Sequence, residues 1–399
     1  MKLILTIILI SVIAIIGAEF TFIRRRIPLG TRHILLTGTE FIFIGFLLGP
    51  TFLNVLDQMT ISSLHPLLSF GLGWIGFLFG LQFDFSKIKN LPHNYFSITL
   101  LQAIVTVSFI FITFFLIFKN LFNQSGKEAF IYALTLASAG ACTGQASMAI
   151  VHRDYKIPSR GVMNLYRYIA GVDALVSIFI FGLVLCYSQA NTDYTTSLNH
   201  PEALMWFGLS IILGLTMGII FHLLTYVRLK QDELLLIIIG VVTFSAGVAL
   251  YLRLSPLLIN FFMGLFIANS THRNVRIFEI MIRAEKSIYI LLVLLAGAQW
   301  HPMSLWSALL VAVFIISRGL GKLSGGYLGA KLFPTGFNVP SHFGLGLLSQ
   351  GGIAIAIIIN FQQIQQQFPV NTILTIIIFG ALINELISPS FVLKIVRKK

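Results

Sequence analysis

Two ionisable residues stand near the middle of long apolar stretches of the chain. Asp173 lies within the stretch 161–187, and Arg318 lies within the stretch 304–332. A charge at the centre of a bilayer is costly, so each residue is a candidate for function. At similar depths the two side chains could pair, with the acid binding an ion. The alternative is a buried ion pair that only stabilises packing.

Three further ionisable residues inside apolar stretches are secondary candidates. Glu40 and Glu385 either face a cavity or lie close enough to the headgroups to be solvated. Arg167 lies two helical turns before Asp173. It either lines an inner vestibule or extends its long side chain to the membrane surface.

Two apolar stretches contain runs of small and polar residues at mid-depth, at 138–147 and at 344–353. Such runs predict interrupted helices, whose free carbonyls and half-helix ends can bind an ion. Close helix packing through small residues is the alternative. The runs lie seven spans apart, and an odd offset is what inverted repeats require. The residues of these runs that we expect at an ion site or its cavity are Thr143, Gly144, Gln145, Ser349 and Gln350.

The composition places the chain in a membrane. Of its 399 residues, 57% are hydrophobic and 10% are charged, against roughly 45–50% and about 25% in an ordinary soluble domain. The mean hydropathy is +0.90. These values exclude a soluble enzyme, a disordered chain and a disulfide scaffold, and they make lipid a partner. The net charge of +13 is explained by basic loops on one side of a bilayer rather than by nucleic acid.

Hydropathy predicts an all-α polytopic membrane protein with about thirteen transmembrane helices in a single domain, 1–399. We assign 20 Lys and Arg residues to one side and 4 to the other, so we expect the N-terminus outside and the C-terminus in the cytoplasm. We expect the first stretch to be a retained helix rather than a signal peptide. The stretches are approximately 3–23, 33–49, 64–83, 95–118, 129–151, 161–187, 203–226, 233–250, 254–270, 286–299, 304–332, 341–361 and 371–393.

The chain contains no pattern typical of nucleotide hydrolysis or of intramembrane catalysis. It has no Gly-rich phosphate loop after a strand, no zinc-ligand spacing, and neither of the HExxH and GxSxG motifs. We therefore expect a protein that is not an enzyme and needs no cofactor. An ion gradient is the remaining source of energy for transport.

Five short motifs occur in an order typical of one family: GFLLGP at 45–50, GFLFGLQFD at 76–84, FMGLFIA at 262–268, SRGLGK at 317–322 and QGG at 350–352. Together they resemble the monovalent cation:proton antiporters of the sodium/hydrogen exchanger superfamily, over nearly the whole chain. The most similar branch is that of bacterial potassium-efflux and spore-germination antiporters, here without a nucleotide-binding domain.

The resemblance implies a fold and a site. It implies a six-helix core around 95–187 and 304–393, a panel of the remaining helices that forms a homodimer, and two crossing broken helices. It makes Asp173 the residue that binds a monovalent cation or a proton in turn, with Thr143 near the ion and Arg318 as the counter-charge. The family usually has Asp, Asn or Gln before this aspartate, whereas this chain has Val172.

These features predict a secondary transporter in a bacterial cell membrane. It would exchange Na⁺ or K⁺ for H⁺ by alternating access, and a lone carboxylate favours electroneutral exchange. Two alternatives stay open. One is a symporter or uniporter of organic anions with the same fold, in which Arg167 and Arg318 would receive a carboxylate. The other is a membrane subunit that scaffolds a partner without transporting anything.

Overall fold

The computed structural model describes residues 2–20, 38–89, 92–145, 148, 151–152, 155, 161–190, 201–226, 229–271, 274–301, 305–365 and 370–397. Several basic residues that support the predicted orientation lie outside these ranges. They are Arg24, Arg25, Arg26, Arg32, Arg153, Lys156, Arg160, Arg228, Arg273, Lys398 and Lys399.

Within those ranges the regular structure is helical throughout, which confirms the all-α class. One 3₁₀ helix of the described residues spans Phe343–Leu347. The α-helices are α1 (Lys2–Phe20), α2 (Phe41–Leu48), α3 (Gln58–Ser63), α4 (His65–Leu81), α5 (Phe85–Lys89), α6 (His93–Asn120), α7 (Gly126–Ala141), α8 (Val162–Ala190), α9 (Pro201–Leu224), α10 (Gln231–Tyr251), α11 (Pro256–Ser270), α12 (Asn274–Ala298), α13 (Leu305–Leu332), α14 (Gly352–Ile364) and α15 (Val370–Arg397).

The helices have the length and hydropathy of a polytopic membrane protein. In the described part of the chain, six are long and apolar enough to cross a bilayer by themselves, namely α6, α8, α9, α10, α13 and α15. Shorter apolar helices lie within α1, α4, α11 and α14. Each of the thirteen predicted stretches coincides with a helix. Most coincide with the helices just named, one with α2, one with α12, and two with helices that are interrupted in the structure.

The predicted stretch 286–299 is only the second half of a longer helix. Helix α12 begins at Asn274, twelve residues earlier than expected. Its first turns carry exposed Arg276 and Glu279 on one face, whereas Ile277 and Ile280 are buried on the other. The hydropathy of this segment is low because it is amphipathic, and an amphipathic segment forms a helix when one face packs on a core.

Helix packing separates two groups. The site bundle consists of α6, α7, α8, α13, α14, α15 and the 3₁₀ helix, and its most extensive contact is between α6 and α13. The flanking bundle consists of α1, α2, α4 and α9–α12, and its most extensive contact is between α4 and α11. Helix α14 touches both bundles, because it also packs on α4, α11 and α12.

Glycines bring the helices of the flanking bundle into backbone contact. A Cβ atom at Gly76 or Gly80 of α4 would collide with the backbone of α11, and one at Gly264 of α11 would collide with α4. In lipid, helices associate through such close van der Waals contact, since burial of apolar surface adds little there. The glycines of the 76–84 and 262–268 motifs therefore serve packing.

Candidate ion-binding site

The first interrupted helix breaks immediately after α7. Ser125 and Glu128 form a capping box that starts this helix. The helix ends at Ala141, and the φ and ψ angles of Cys142, −58° and 139°, turn the chain into an extended conformation. Residues 142–144 have no regular structure, and the chain is helical again at Met148. Small residues before the break and a polar Thr143 within it make the helix weak at this point.

The second interruption lies between the 3₁₀ helix and α14, at residues 348–351. It crosses the first, since the Gly144 N–H donates a hydrogen bond of 2.9 Å to the Ser349 carbonyl. A Cβ atom at Gly144 would lie 2.8 Å from Ser349 Oγ and 2.9 Å from the Gly351 nitrogen. Glycine is therefore required where the two extended segments touch.

Arg318 on α13 joins the two breaks through their free carbonyls. On the α7 side its Nε donates to the Gly140 carbonyl at 2.7 Å and its Nη2 donates to the Cys142 carbonyl at 2.8 Å. On the other side its Nη1 donates to the Leu348 carbonyl at 2.6 Å, and its Nη2 is 3.2 Å from the Ser349 carbonyl. The guanidinium thus donates hydrogen bonds to carbonyls that the broken helices leave unpaired. It can serve several carbonyls at once because it has five N–H donors.

Asp173 on α8 has no exposed surface and lies against the first break. Its Oδ1 accepts a hydrogen bond of 3.1 Å from the Thr143 backbone N–H. Its Oδ2 accepts a 2.5 Å bond from Thr143 Oγ1. The predicted partners Asp173 and Thr143 are therefore in direct contact, and the interruption of α7 is what frees the Thr143 N–H for this bond.

The basic partner of Asp173 is Lys322, a residue that the sequence analysis did not select. Lys322 Nζ lies 3.0 Å from Asp173 Oδ2 and donates to Ala141 O at 2.5 Å and to Thr143 Oγ1 at 2.8 Å. Arg318, the expected counter-charge, instead directs its hydrogen bonds to main-chain carbonyls. The spacing of the two residues could have identified Lys322, because it follows Arg318 by four residues and therefore lies on the same face of α13.

Asp173, Arg318 and Lys322 are all fully buried. An isolated buried charge is strongly unfavourable, whereas a paired and hydrogen-bonded one is tolerated. The lysine neutralises the aspartate, and the arginine is solvated by carbonyl oxygens. Val172, which precedes Asp173, is apolar and buried, so it adds no second carboxylate beside Asp173.

A cavity of about 430 Å³ reaches this site from one end of the molecule. Thr143 and Gly144 line its floor, so the residue that bonds Asp173 faces the cavity. One face of α12 forms a wall with Phe278, Ile282, Glu285, Lys286 and Tyr289. Gln82, Gln145 and Glu385 also line it. Asp173 is thus one hydrogen bond away from an accessible space.

The remaining candidates lie in different places. Gly144 and Gln145 line the cavity as expected. Ser349 and Gln350 are buried at the crossing, where Gln350 Nε2 donates to the Ala139 carbonyl at 3.2 Å. Arg167 is exposed and Glu40 is half-buried, and neither is among the lining residues. Of the two alternatives predicted for these residues, the cavity-lining one is not seen in this conformation, since a helix places residues on several faces and hydropathy does not tell which face meets the cavity.

The sequence matches the family model described as sodium/hydrogen exchanger, transmembrane, over residues 7–396. The chain belongs to this family. It is an integral membrane protein, and membership places it among transporters rather than enzymes and supports exchange of a cation for protons.

The fold of this exchanger matches a solved structure over its full length. The structure of the sodium proton antiporter MjNhaP1 from Methanocaldococcus jannaschii at pH 8 has a TM-score of 0.66 and 15% sequence identity. The match covers 100% of this chain and 99% of the other. No curated protein shows significant sequence similarity to the chain.

Proposed function

We propose that the protein exchanges a monovalent cation, Na⁺ or K⁺, for H⁺ at Asp173. The observation that carries the proposal is the buried Asp173–Lys322 pair beside Thr143 on the cavity floor. Three oxygen atoms surround the lysine ammonium, from Asp173, Thr143 and the Ala141 carbonyl. Carboxylate, hydroxyl and carbonyl oxygens are also the ligands that hard cations take.

The ammonium and a cation would compete for these oxygens. With the proton bound, Lys322 neutralises Asp173 and the bundle can move without a bare buried charge. When Lys322 loses its proton to the cavity and turns away, the same oxygens can hold the cation. Deprotonation is open to a buried lysine, whereas an arginine stays charged. Thr143 and the carbonyls then complete the coordination, and no cofactor takes part.

This scheme gives electroneutral exchange. One proton leaves for each cation bound, so the site carries the same net charge in both loaded forms. A second carboxylate at position 172 would add a proton to the cycle, and Val172 removes that route.

Movement of the site bundle against the flanking bundle would provide alternating access. The two bundles contact each other at the end opposite the cavity, where Gln363 of α14 donates to the His65 carbonyl of α4 at 3.2 Å. The cavity end carries Gln82 and Lys286, which the predicted topology places in the cytoplasm of a bacterial cell. We therefore propose an inward-open state, with the flanking bundle available to form a homodimer.

Arg318 favours a cation over an organic anion as cargo. An anion carrier would use Arg318 to receive a carboxylate, but its guanidinium donates to carbonyls of both breaks. Lys322 is likewise bonded to Asp173. The described site therefore offers oxygen acceptors, which suit a cation.

Proteoliposomes with an internal pH-sensitive dye test the proposal. Addition of Na⁺ or K⁺ to vesicles with a pH gradient should dissipate the gradient for wild type and leave it intact for Asp173→Asn. Asp57→Asn is the matched control, because Asp57 caps α3, is not among the residues that line the cavity, and can be replaced by Asn as a cap. Exchange by Asp173→Asn at the wild-type rate would exclude Asp173 as the site.

The same vesicles test the stoichiometry. With a membrane potential set by an ionophore, an electroneutral exchanger keeps its rate when the potential changes. A rate that follows the potential would contradict the exchange of one proton for one cation.

A further inference from the structure

Polar side chains join the two bundles at the end opposite the cavity, which we call the closed end. Ser255, the residue before α11, donates a hydrogen bond from Oγ to Asn360 Oδ1 of α14. Gln363, one turn further along α14, donates to the His65 carbonyl at 3.2 Å and lies 3.4 Å from Ser69 Oγ. These contacts would have to separate if the bundles moved apart at this end.

Asn360 at the closed end has an unsatisfied polar atom, and so does Asn260 inside the flanking bundle, where Asn260 and Ala246 of α10 both lie against Gly73 of α4. Asn260 of α11 and Asn360 have no exposed surface. Asn260 Nδ2 donates to the Pro256 carbonyl at 2.9 Å, but its Oδ1 has no hydrogen-bond partner among the described residues. The same holds for Asn360 Nδ2. An unpaired buried polar group costs about 1–3 kcal/mol, which an apolar residue of similar size would avoid.

The closed end lies on the far side of the site from the cavity. Gly352 at the start of α14 lines the cavity, and Asn360 lies eight residues later, about 12 Å along the helix axis. Helix α4 runs in the opposite direction, from the closed end to the cavity, since Ser69 contacts Gln363 whereas Ile75 and Phe79 line the cavity. The Ser255–Asn360 contact thus lies beyond the site, on the side away from the cavity.

We propose that Ser255 and Asn360 line the second half of the cation pathway, which is closed in this conformation. The proposal rests on the proposed exchange function. When the bundles separate at the closed end, the unpaired Asn360 Nδ2 becomes hydrated, and the Ser255 hydroxyl and Asn360 amide oxygens contact a partly hydrated monovalent cation. Neutral oxygen ligands bind such an ion weakly, which lets it leave. The cost of burying the unpaired atom in one state is then explained by its use in the other.

Asn360→Leu tests the assignment, because leucine has nearly the same volume and no polar atoms. The apparent melting temperature of the purified protein should change little, since an unpaired nitrogen is removed together with one hydrogen bond, and Ser255 Oγ still accepts from the Leu258 N–H. Exchange should fall roughly tenfold or more, the usual effect of losing a polar group that acts in only one state. The KM for cation on the closed-end side should rise more than the KM on the cavity side.

Asn260→Leu is the control variant. Asn260 Oδ1 is also buried and unpartnered in the described structure, but Asn260 lies against Gly73 inside the flanking bundle. This change should leave exchange unaltered. Exchange at the wild-type rate for Asn360→Leu would show that Asn360 serves packing and would overturn the proposal.

Thiol labelling separates this proposal from the exchange function. In a Cys142→Ala/Cys186→Ala background, Asn360→Cys should react with a membrane-impermeant thiol reagent added on the closed-end side. A cysteine that stays unreactive with and without Na⁺, K⁺ and a pH gradient would overturn the pathway assignment. Absence of exchange in wild type, together with labelling of Asn360→Cys, would reject the cation–proton function but keep the opening of the closed end.

Discussion

A lysine one turn beyond Arg318 changes the chemistry that the aspartate can perform. Lys322 Nζ lies 3.0 Å from Asp173 Oδ2, and both side chains are buried. In a buried pair of this kind, the attraction between the charges and their hydrogen bonds offset the free-energy cost of removing two charges from water. Arg318 is left to hold the backbone. Two basic residues four positions apart therefore have separate tasks.

Lys322→Met should lower stability and abolish exchange. Loss of one partner leaves a buried charge unpaired, which costs roughly 3–5 kcal/mol. The double variant Lys322→Met/Asp173→Asn removes both charges and should recover much of the lost stability while remaining inactive. Thermal unfolding of the purified variants measures this. If the double variant is as unstable as the sum of the single changes, the pair contributes no coupling and the assignment is wrong.

At the scale of the secondary structure, the site depends on two helices that stop in mid-course. The breaks expose the Thr143 N–H to Asp173 and the Ala141 carbonyl to Lys322. In a continuous helix both groups would be hydrogen-bonded within the helix. Arg318 satisfies carbonyls on both sides of the crossing, so irregular backbone is stable at this depth.

Gly144→Ala should misplace the crossing without unfolding the protein. The new methyl group would lie 2.8 Å from Ser349 Oγ and 2.9 Å from the Gly351 nitrogen, so one break must shift. A displacement of about 1 Å at a reacting group can cost roughly 100-fold in rate. The exchange assay measures the loss. Gly208→Ala on α9, where nothing lies within 4 Å of the new Cβ, should exchange normally, and equal rates for the two variants would contradict a tight crossing.

At the scale of the whole molecule, a cavity lies between the two bundles at one end, where Gln145 Nε2 still donates to Gln82 Oε1 at 3.3 Å, and polar contacts join the bundles at the other end. The cavity lies between α4, α12 and the two breaks, whereas α14 contacts α4 and α11 at the closed end. Such an arrangement exposes the site to one side in this conformation, as the proposed alternating access requires.

Cysteine accessibility should follow this asymmetry. In a background without Cys142 and Cys186, Gln145→Cys should react with an impermeant thiol reagent from the cavity side, because Gln145 is exposed and lines the cavity. Gln350→Cys is the matched control on the other break and should stay protected, because Gln350 is fully buried. Equal labelling of both cysteines would show that the crossing is open to water.

The sequence determined the parts of this protein that depend on local composition. Hydropathy is a property of each stretch by itself, so it predicted the helical membrane class and the position of nearly every span. Runs of small and polar residues between apolar ones are also a local property of the sequence, so they predicted both breaks. The rarity of charge in lipid selected Asp173 and Arg318, and the ion-binding role of Asp173 stays a prediction.

Which groups are in contact depends on the tertiary structure. Arg318 and Lys322 share one face of α13, and no local property tells which of them reaches Asp173 and which reaches the carbonyls. That choice depends on how deeply α8 and α13 are placed relative to the breaks, as the hydrogen bonds of both side chains show. The cavity likewise arises from the separation of two bundles. Contacts between helices distant in sequence set these distances, and hydropathy contains no information about them.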